Sequence, residues 1–276
     1  MKNRSKSTFT KVIISGCLFL LSPTLYAATF LFSAPPRETV EVGESKYAPI
    51  AEYLTKTTGH KFVYEHPGNW GVYRTKMVQG KYDLVFDGPH FNSYRAEYLK
   101  HNIIVKIPGG FTFVGIVRKG EKRIKNLKQG IGRRVCAHAP PNLGTLTLLS
   151  KYENPIRQPV IVNTKGWKNI YQGLVDKKCD FAMVPERNLK SYDPARSKID
   201  VIYRAKTLPN QAFSASPRIS LKIQQKIAES LTQPPSLDPT ETLRLSYKAG
   251  KKLEKANNKE YQDVSKILMT EWGFAR

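Results

Sequence analysis

Short apolar runs alternate along the chain with segments whose apolar residues recur every three to four positions. Ala28 to Ser33 predicts a first strand. Tyr47, Ile50, Ala51 and Leu54 then fall at i, i+3, i+4 and i+7, one face of a helix, with Pro49 in its first turn and Gly59 as its stop. Lys61 to Glu65 predicts a second strand. Asn69 can cap the next helix, whose Trp70, Tyr73 and Met77 share a face and which Gly80 ends. Tyr82 to Phe86 predicts a third strand that runs straight into the turn Asp87-Gly88-Pro89.

After the polar, basic stretch Arg118-Lys119-Gly120 the pattern starts again. Arg134 to His138 predicts a strand, and Leu143 to Tyr152 a helix introduced by Pro140-Pro141-Asn142. Val160 to Val162 predicts a buried strand, Trp167, Ile170, Tyr171 and Leu174 a helical face, and Asp180 to Val184 another strand. Strands alternating with helices in this way predict an α/β fold with mainly parallel sheets, its second half repeating the architecture of the first. The tail from Ser220 predicts mostly helix. Ile223, Ile227 and Leu231 form one stripe, Asp238-Pro239-Thr240-Glu241 is a helix start, and Tyr261, Val264 and Leu268 supply a last amphipathic face before Trp272-Gly273-Phe274.

The first residues change the picture from fold to destination. Lys2, Arg4, Lys6 and Lys11 precede an apolar run from Val12 to Leu21, and Ala27-Ala28 follows, the order of an export signal cleaved after Ala27 that directs the chain to the periplasm. Ile14-Ser15-Gly16-Cys17 also resembles a lipobox, in which Cys17 would carry lipid; against it, the apolar run continues past the cysteine. A retained anchor would need about 20 apolar residues, more than this run holds. Removing residues 1–27 takes four basic residues and no acidic one, so the net charge falls from +23 to +19. That excess favours anionic partners, yet it is spread along the chain and describes a field, with no zinc-finger spacing or RNA-binding signature to suggest nucleic acid. Cys136 and Cys179 remain, either as a disulfide or as two buried thiols, and their spacing suits no metal knuckle.

Four stretches in order resemble the substrate-binding proteins of the phosphate, phosphite and phosphonate ABC transporters. They are Glu44 to Leu54, Gly80 to Pro89, Asp176 to Pro185, and Glu260-Tyr261 through Trp272-Gly273-Phe274. The resemblance implies a two-lobed periplasmic-binding-protein fold of type II with ligand in the cleft and two crossover strands as the hinge. Lobe 1 would comprise residues 28–113 plus 214–276, and lobe 2 residues 114–213, with crossings near Phe111 to Val114 and Ala212 to Ser214. It also implies a monomeric, non-enzymatic protein without cofactor. Such a protein captures a small anionic solute and delivers it to an ABC permease, or, on an alternative reading, serves a membrane sensor kinase.

In open parallel sheets ligands bind beyond the carboxyl ends of the strands, where backbone N–H groups at helix starts can hold an oxyanion. The loops that qualify give the candidate ligand-binding residues Ser33, Tyr47, Trp70, Asp87, Gly88, His90, Asn142, Thr145, Trp167 and Glu186. Each has a plainer reading. Trp70, Trp167 and Tyr47 lie on apolar helical faces and suit the core, Asp87 can cap its turn, and His90, Asn142 and Thr145 can cap helices. Where the resembling phosphonate binders carry a Ser/Thr-rich turn, this chain has Ala139-Pro140-Pro141-Asn142-Leu143-Gly144-Thr145, and two prolines remove two N–H donors. Cys136 and His138 would share a strand face, but no activated nucleophile motif, HExxH or phosphate loop supports catalysis.

Overall fold

A computed structural model describes residues 27–250, 252–269 and 274. The export signal, Cys17 and Trp272-Gly273 lie outside the described residues. In chain order the first part forms β1 (Thr29–Ser33), α1 (Val40–Thr58), β2 (Lys61–Glu65), α2 (Trp70–Val78), β3 (Leu84–Asp87), α3 (Pro89–Tyr98) and β4 (Asn102–Lys106). A two-residue strand β5 (Gly110–Phe111) leads to β6 (Phe113–Arg118), β7 (Arg134–Ala137), α4 (Leu143–Leu149), β8 (Val160–Asn163), α5 (Trp167–Val175), β9 (Phe181–Pro185), α6 (Glu186–Tyr192) and β10 (Ile199–Arg204). The chain returns through β11 (Leu208–Pro209) to β12 (Ala212–Ala215), α7 (Leu221–Thr232), α8 (Glu241–Ser246) and β13 (Glu254–Lys255).

These strands make two main sheets. The first has the order β13-β4-β12-β3-β1-β2, with β1 parallel to β2 and β3, and β12 antiparallel to its neighbours. The second has the order β10-β6-β9-β7-β8, with β7 parallel to β8 and β9. Each central strand is covered on both faces, which is why it reads as an unbroken apolar run. In β3, Leu84 and Phe86 join Phe32, Phe213 and the Tyr47, Ile50 and Leu54 face of α1, while Val85 turns to the opposite cluster with Tyr73, Met77 and Phe91. In β9, Phe181 and Met183 pack with Leu143 and Leu148 of α4, and Ala182 and Val184 with Ile170 and Leu174 of α5.

The chain passes between the sheets twice, and the passages pair with each other as the antiparallel ribbon β5–β11. Thr112 and Thr207 are joined beside it by a 2.8 Å side-chain hydrogen bond. Gly110 has no alternative there, because a Cβ would lie 2.7 Å from the Leu208 carbonyl oxygen. The return passage precedes the predicted Ala212 to Ser214, which instead are the first three residues of β12, buried between β3 and β4.

Four further expectations are corrected. Helix α1 begins at Val40, capped by Thr39, so Pro49 stands inside it and not in its first turn. The first turns carry exposed valines and glutamates, which show no apolar stripe, and Pro49 leaves only the Ser45 carbonyl without its helical donor. Strand β8 was expected to be buried, but it is the edge of its sheet, with Val160 exposed. The tail is less helical than its stripes suggest. Pro234-Pro235 interrupts after α7, the stretch before Glu241 forms no side-chain cap because the Thr240 hydroxyl donates to Ser236 O, and α8 is six residues long. Beyond it lie β13 and two 3-10 turns, Asn258–Tyr261 and Val264–Leu268, separated by Asp263 at φ 64°.

Cys136 in β7 and Cys179 before β9 form a disulfide, with S–S 2.06 Å and Cα–Cα 5.6 Å. It ties the strand to the turn that follows α5 in a fully buried cluster. Closing a loop of 43 residues removes chain entropy from the unfolded state equivalent to about 2–4 kcal/mol. Replacing both cysteines by alanine is therefore expected to lower Tm by roughly 5–15 °C in scanning calorimetry. An unchanged Tm would show that the bond contributes nothing to stability.

Candidate functional site

Because β1 and β3 run parallel side by side, the loops after them emerge together at the carboxyl edge of the first sheet. Asp87 ends β3 with its side chain wholly removed from solvent. Its Oδ1 accepts from Arg37 Nη2 at 2.9 Å and from Gly88 N at 2.6 Å. Its Oδ2 accepts from Arg95 Nη1 at 3.0 Å and from the Tyr73 hydroxyl, which in turn accepts from Arg95 Nη2. Burial alone would lower the Arg95 pKa, but Tyr73 and the Asp87 carboxylate outweigh it and raise it, so this guanidinium stays charged. Burial pushes the Tyr73 hydroxyl well above its usual pKa, which keeps it a donor.

Arg37 is the cleft-side member of this group, with 28% of its side chain exposed. Its Nη1 donates to the Tyr247 hydroxyl at 3.4 Å. Burial opposes its charge, and Tyr247 with Asp87 more than restores it, so its pKa is raised. From the second sheet, Arg187 on α6 donates through Nη1 to the Tyr247 carbonyl at 2.9 Å, which brings the two lobes together at one residue. Burial lowers the Arg187 pKa, with Tyr247 as its only compensation. Among the described residues it makes no ion pair, and its Nε is buried without a hydrogen-bond partner.

His90 makes another contact across the lobes, its Nε2 donating to Pro141 O at 3.2 Å. Burial lowers its pKa to about 4, so the ring is neutral at pH 7 and, with Nε2 carrying the proton, Nδ1 is an acceptor. That Nδ1 is buried and unpartnered. A Cβ on Gly88 would lie 3.1 Å from it and 3.5 Å from Arg37 Nη2, so the bare side of Gly88 faces both. The Tyr47 hydroxyl is a third buried group without a partner, although its ring packs in the core against Phe32, Tyr64 and Phe86.

The other predicted residues divide by what already holds them. The Ser33 hydroxyl donates to Glu65 O, the Asn142 side chain caps α4 by accepting from Gly144 N, and the Thr145 hydroxyl donates to His138 O. Glu186 is paired with Arg204 and Arg196 of its own lobe, so its carboxylate is already neutralised. Trp167 stands edge-on to His138 at 4.5 Å and packs on Phe113 within the second lobe. Trp70 opens on a cavity of about 260 Å³. Tyr73, Phe91 and Phe274 of the first lobe and Pro140 and Pro141 of the second line it, with Gly71 and Arg74 completing the wall.

Arg37, Tyr73, Arg95 and Tyr247 were not candidates from the sequence. Arg37 follows Pro35-Pro36 in the loop after β1, a position that could have drawn attention, but Tyr247 reaches the site only because the tail folds back beneath α1.

Asp87→Asn leaves two guanidiniums around a neutral amide, and losing the charge of a buried pair costs about 3–5 kcal/mol. A fall in Tm of roughly 6–20 °C is expected by calorimetry, whereas an unaltered value would mean the network does not hold the loops. The histidines give a pH signature. Burial lowers the pKa of His90 to about 4 and of His101 to about 3, below the ordinary 6.5. The unfolded chain therefore binds protons that the folded chain refuses, and stability present above pH 6.5 is lost as pH falls toward 4. Urea unfolding between pH 6.5 and 5 should show a slope approaching about 1.4 kcal/mol per pH unit for each histidine, which the double variant His90→Gln/His101→Gln removes.

Comparison with known proteins agrees with this architecture. The sequence model of a family described as "ABC transporter, phosphonate, periplasmic substrate-binding protein" matches residues 32–261. The phosphate-import protein PhnD of Mycolicibacterium smegmatis is 26% identical over 118 residues, 40% of this chain and 37% of that protein. The chain thus spans well under half the length of that relative. Among solved structures, PhnD1 from Prochlorococcus marinus in complex with methylphosphonate superposes with a TM-score of 0.63 at 16% identity, covering 87% of this chain and 97% of the other. XAC2383 from Xanthomonas citri bound to ATP gives 0.69 at 9% identity, covering 88% and 98%. At these identities the solved structures show the shared two-lobed fold alone. With the match running over most of its length, the chain belongs to the family of periplasmic substrate-binding proteins of phosphonate ABC transporters.

Proposed function

We propose that the chain binds a small phosphorus oxyanion, phosphate or a phosphonate, between its lobes and delivers it to an ABC importer without chemical conversion. The observation that carries this reading is Arg187, a cation with no carboxylate partner among the described residues and with a buried, unpartnered Nε. A half-buried guanidinium without a counter-charge, its Nε cut off from water, is costly, and an anion in the cleft reduces the cost. The first turn of α3 adds the backbone N–H groups that follow Pro89 and the positive end of a ten-residue helix, the Gly88 N–H itself being taken by Asp87. His90 Nδ1 supplies the selectivity. Being an acceptor, it suits an oxyanion that still carries a proton, as phosphate and phosphonate monoanions do, and it disfavours sulfate, which has none to offer at neutral pH.

The lobes would be residues 28–109 with 212–276, and 113–204, joined by the β5–β11 ribbon and its flanks. Ligand would draw them together by bridging Arg187 and the Gly88–His90 turn, a shift toward the closed state that a permease can recognise.

Isothermal titration with phosphate, phosphite, methylphosphonate, 2-aminoethylphosphonate and sulfate tests this. One phosphorus oxyanion is expected to bind at least about tenfold more tightly than sulfate. A charged hydrogen bond contributes about 1.5–3 kcal/mol, so Arg187→Ala should weaken it by roughly 10- to 150-fold, with Arg187→Lys recovering part. Absence of binding by every phosphorus oxyanion at millimolar concentration, or full affinity in Arg187→Ala, would overturn the reading.

A further inference from the structure

The cavity beside the Gly88–His90 turn has walls unlike those of an anion site. Trp70 starts α2, and its indole stands edge-on to Tyr73 with ring centroids 6.0 Å apart and lies 6.2 Å from Phe91. Phe91 packs on Phe274 at 5.8 Å. The second lobe presents Pro140 and Pro141, which have no N–H to offer and bring only ring faces. The volume is about 260 Å³, and an apolar cavity of about 150 Å³ is already enough to take up benzene.

This cavity and the oxyanion site share a partition. His90 packs on Phe91 with ring centroids 4.1 Å apart and donates to the Pro141 carbonyl, while its Nδ1 edge faces Gly88 and Arg37. One side chain thus separates the polar groups from the aromatic walls. We propose that the ligand is an organic phosphonate or phosphate monoester with an aromatic or similarly bulky apolar substituent, its oxyanion at Arg187 and Gly88–His90 and its substituent between Trp70, Phe91 and Pro140-Pro141. The inference rests on the proposed function and adds the substituent to it. Walls from both lobes mean that closure takes the ring out of water on two sides, so the substituent itself stabilises the closed state.

The test compares phosphate, methylphosphonate, phenylphosphonate and phenyl phosphate by isothermal titration on the same protein. A ring buries on the order of 100 Å² more apolar surface than a methyl group, so the phenyl compounds are expected to bind about 10- to 100-fold more tightly than methylphosphonate. Trp70→Ala should erase that preference, bringing the ratio of phenyl to methyl affinities to about one, whereas Arg187→Ala should weaken all four and keep the ratio. Equal affinity for methyl and phenyl compounds, or a phenyl preference that persists in Trp70→Ala, overturns this inference and leaves the oxyanion reading standing. If none of the four binds to protein whose circular dichroism shows it folded, both fall together.

Discussion

A single carboxylate without solvent, that of Asp87, governs the cleft face of the first lobe. Removing it from water costs several kcal/mol unless its oxygens are filled, and they are filled from four directions by Arg37, Gly88, Tyr73 and Arg95. Each donor comes from a different local element: the loop after β1, the turn itself, α2 and α3. The requirement to satisfy one buried anion thereby fixes the relative placement of all four. It also fixes the sign of the site. Two guanidiniums surround one carboxylate, the Gly88–His90 turn lies beside Arg37, and Arg187 approaches from the second lobe without an ion-pair partner among the described residues. The cleft is left with more positive than negative charge, held rigidly enough that an arriving anion need not pay for ordering it.

What joins the lobes is slight compared with what holds each together. Each sheet is buried on both faces, but the passage between sheets is a ribbon of two short strands, and the polar contacts across the cleft are few beside the apolar one that Leu146 of α4 makes with Tyr73, Phe91 and Leu268. His90 reaches Pro141 O, Arg187 reaches Tyr247 O, and Lys248 Nζ donates to the Ser191 hydroxyl. Such contacts can exchange for water at small net cost, so the balance between open and closed arrangements can be set by ligand. The two crossings pair with each other, Phe111 with Leu208 and Gly110 with Pro209, which couples them mechanically. That arrangement favours a single hinge motion over independent drift of the lobes.

The central strands were legible because a strand covered on both faces must be continuously apolar. Lys61 to Glu65 was read with its observed bounds, and the Asn69 cap forms as expected, its side chain accepting from Val72 N. Edges and termini were less legible. Val160 to Val162 is as apolar as a buried strand, yet nothing pairs beyond it in its sheet. The early turns of α1 are stabilised by a cap and by helix propagation, neither of which leaves an apolar stripe. The site was half visible for a related reason. Strand-end position selects Asp87, Gly88 and His90, but it cannot say that Asp87 faces inward to two arginines while Gly88 faces the cleft. Arg37 and Tyr247 are about two hundred residues apart and meet only through tertiary folding.

The loop Pro140-Pro141-Asn142 marks where this chain leaves the pattern of the binders it resembles, and the structure suggests a physical trade. A hydroxyl-rich turn grips an oxyanion with many short-range donors and tolerates little beside it. Here Asn142 and Thr145 turn their polar groups to their own helix and the prolines offer none, so the second lobe has lost that grip. The cation it brings to the first lobe at the proposed site is Arg187 on α6, which would act through its charge and its N–H groups. Charge attracts any oxyanion, so discrimination has to come from elsewhere: from the His90 acceptor, which asks for a proton, and from the prolines, which form an apolar wall where the donors would stand. Loss of donors and gain of wall are one change in sequence, and on the proposed reading they shift recognition from the oxyanion toward what is attached to it.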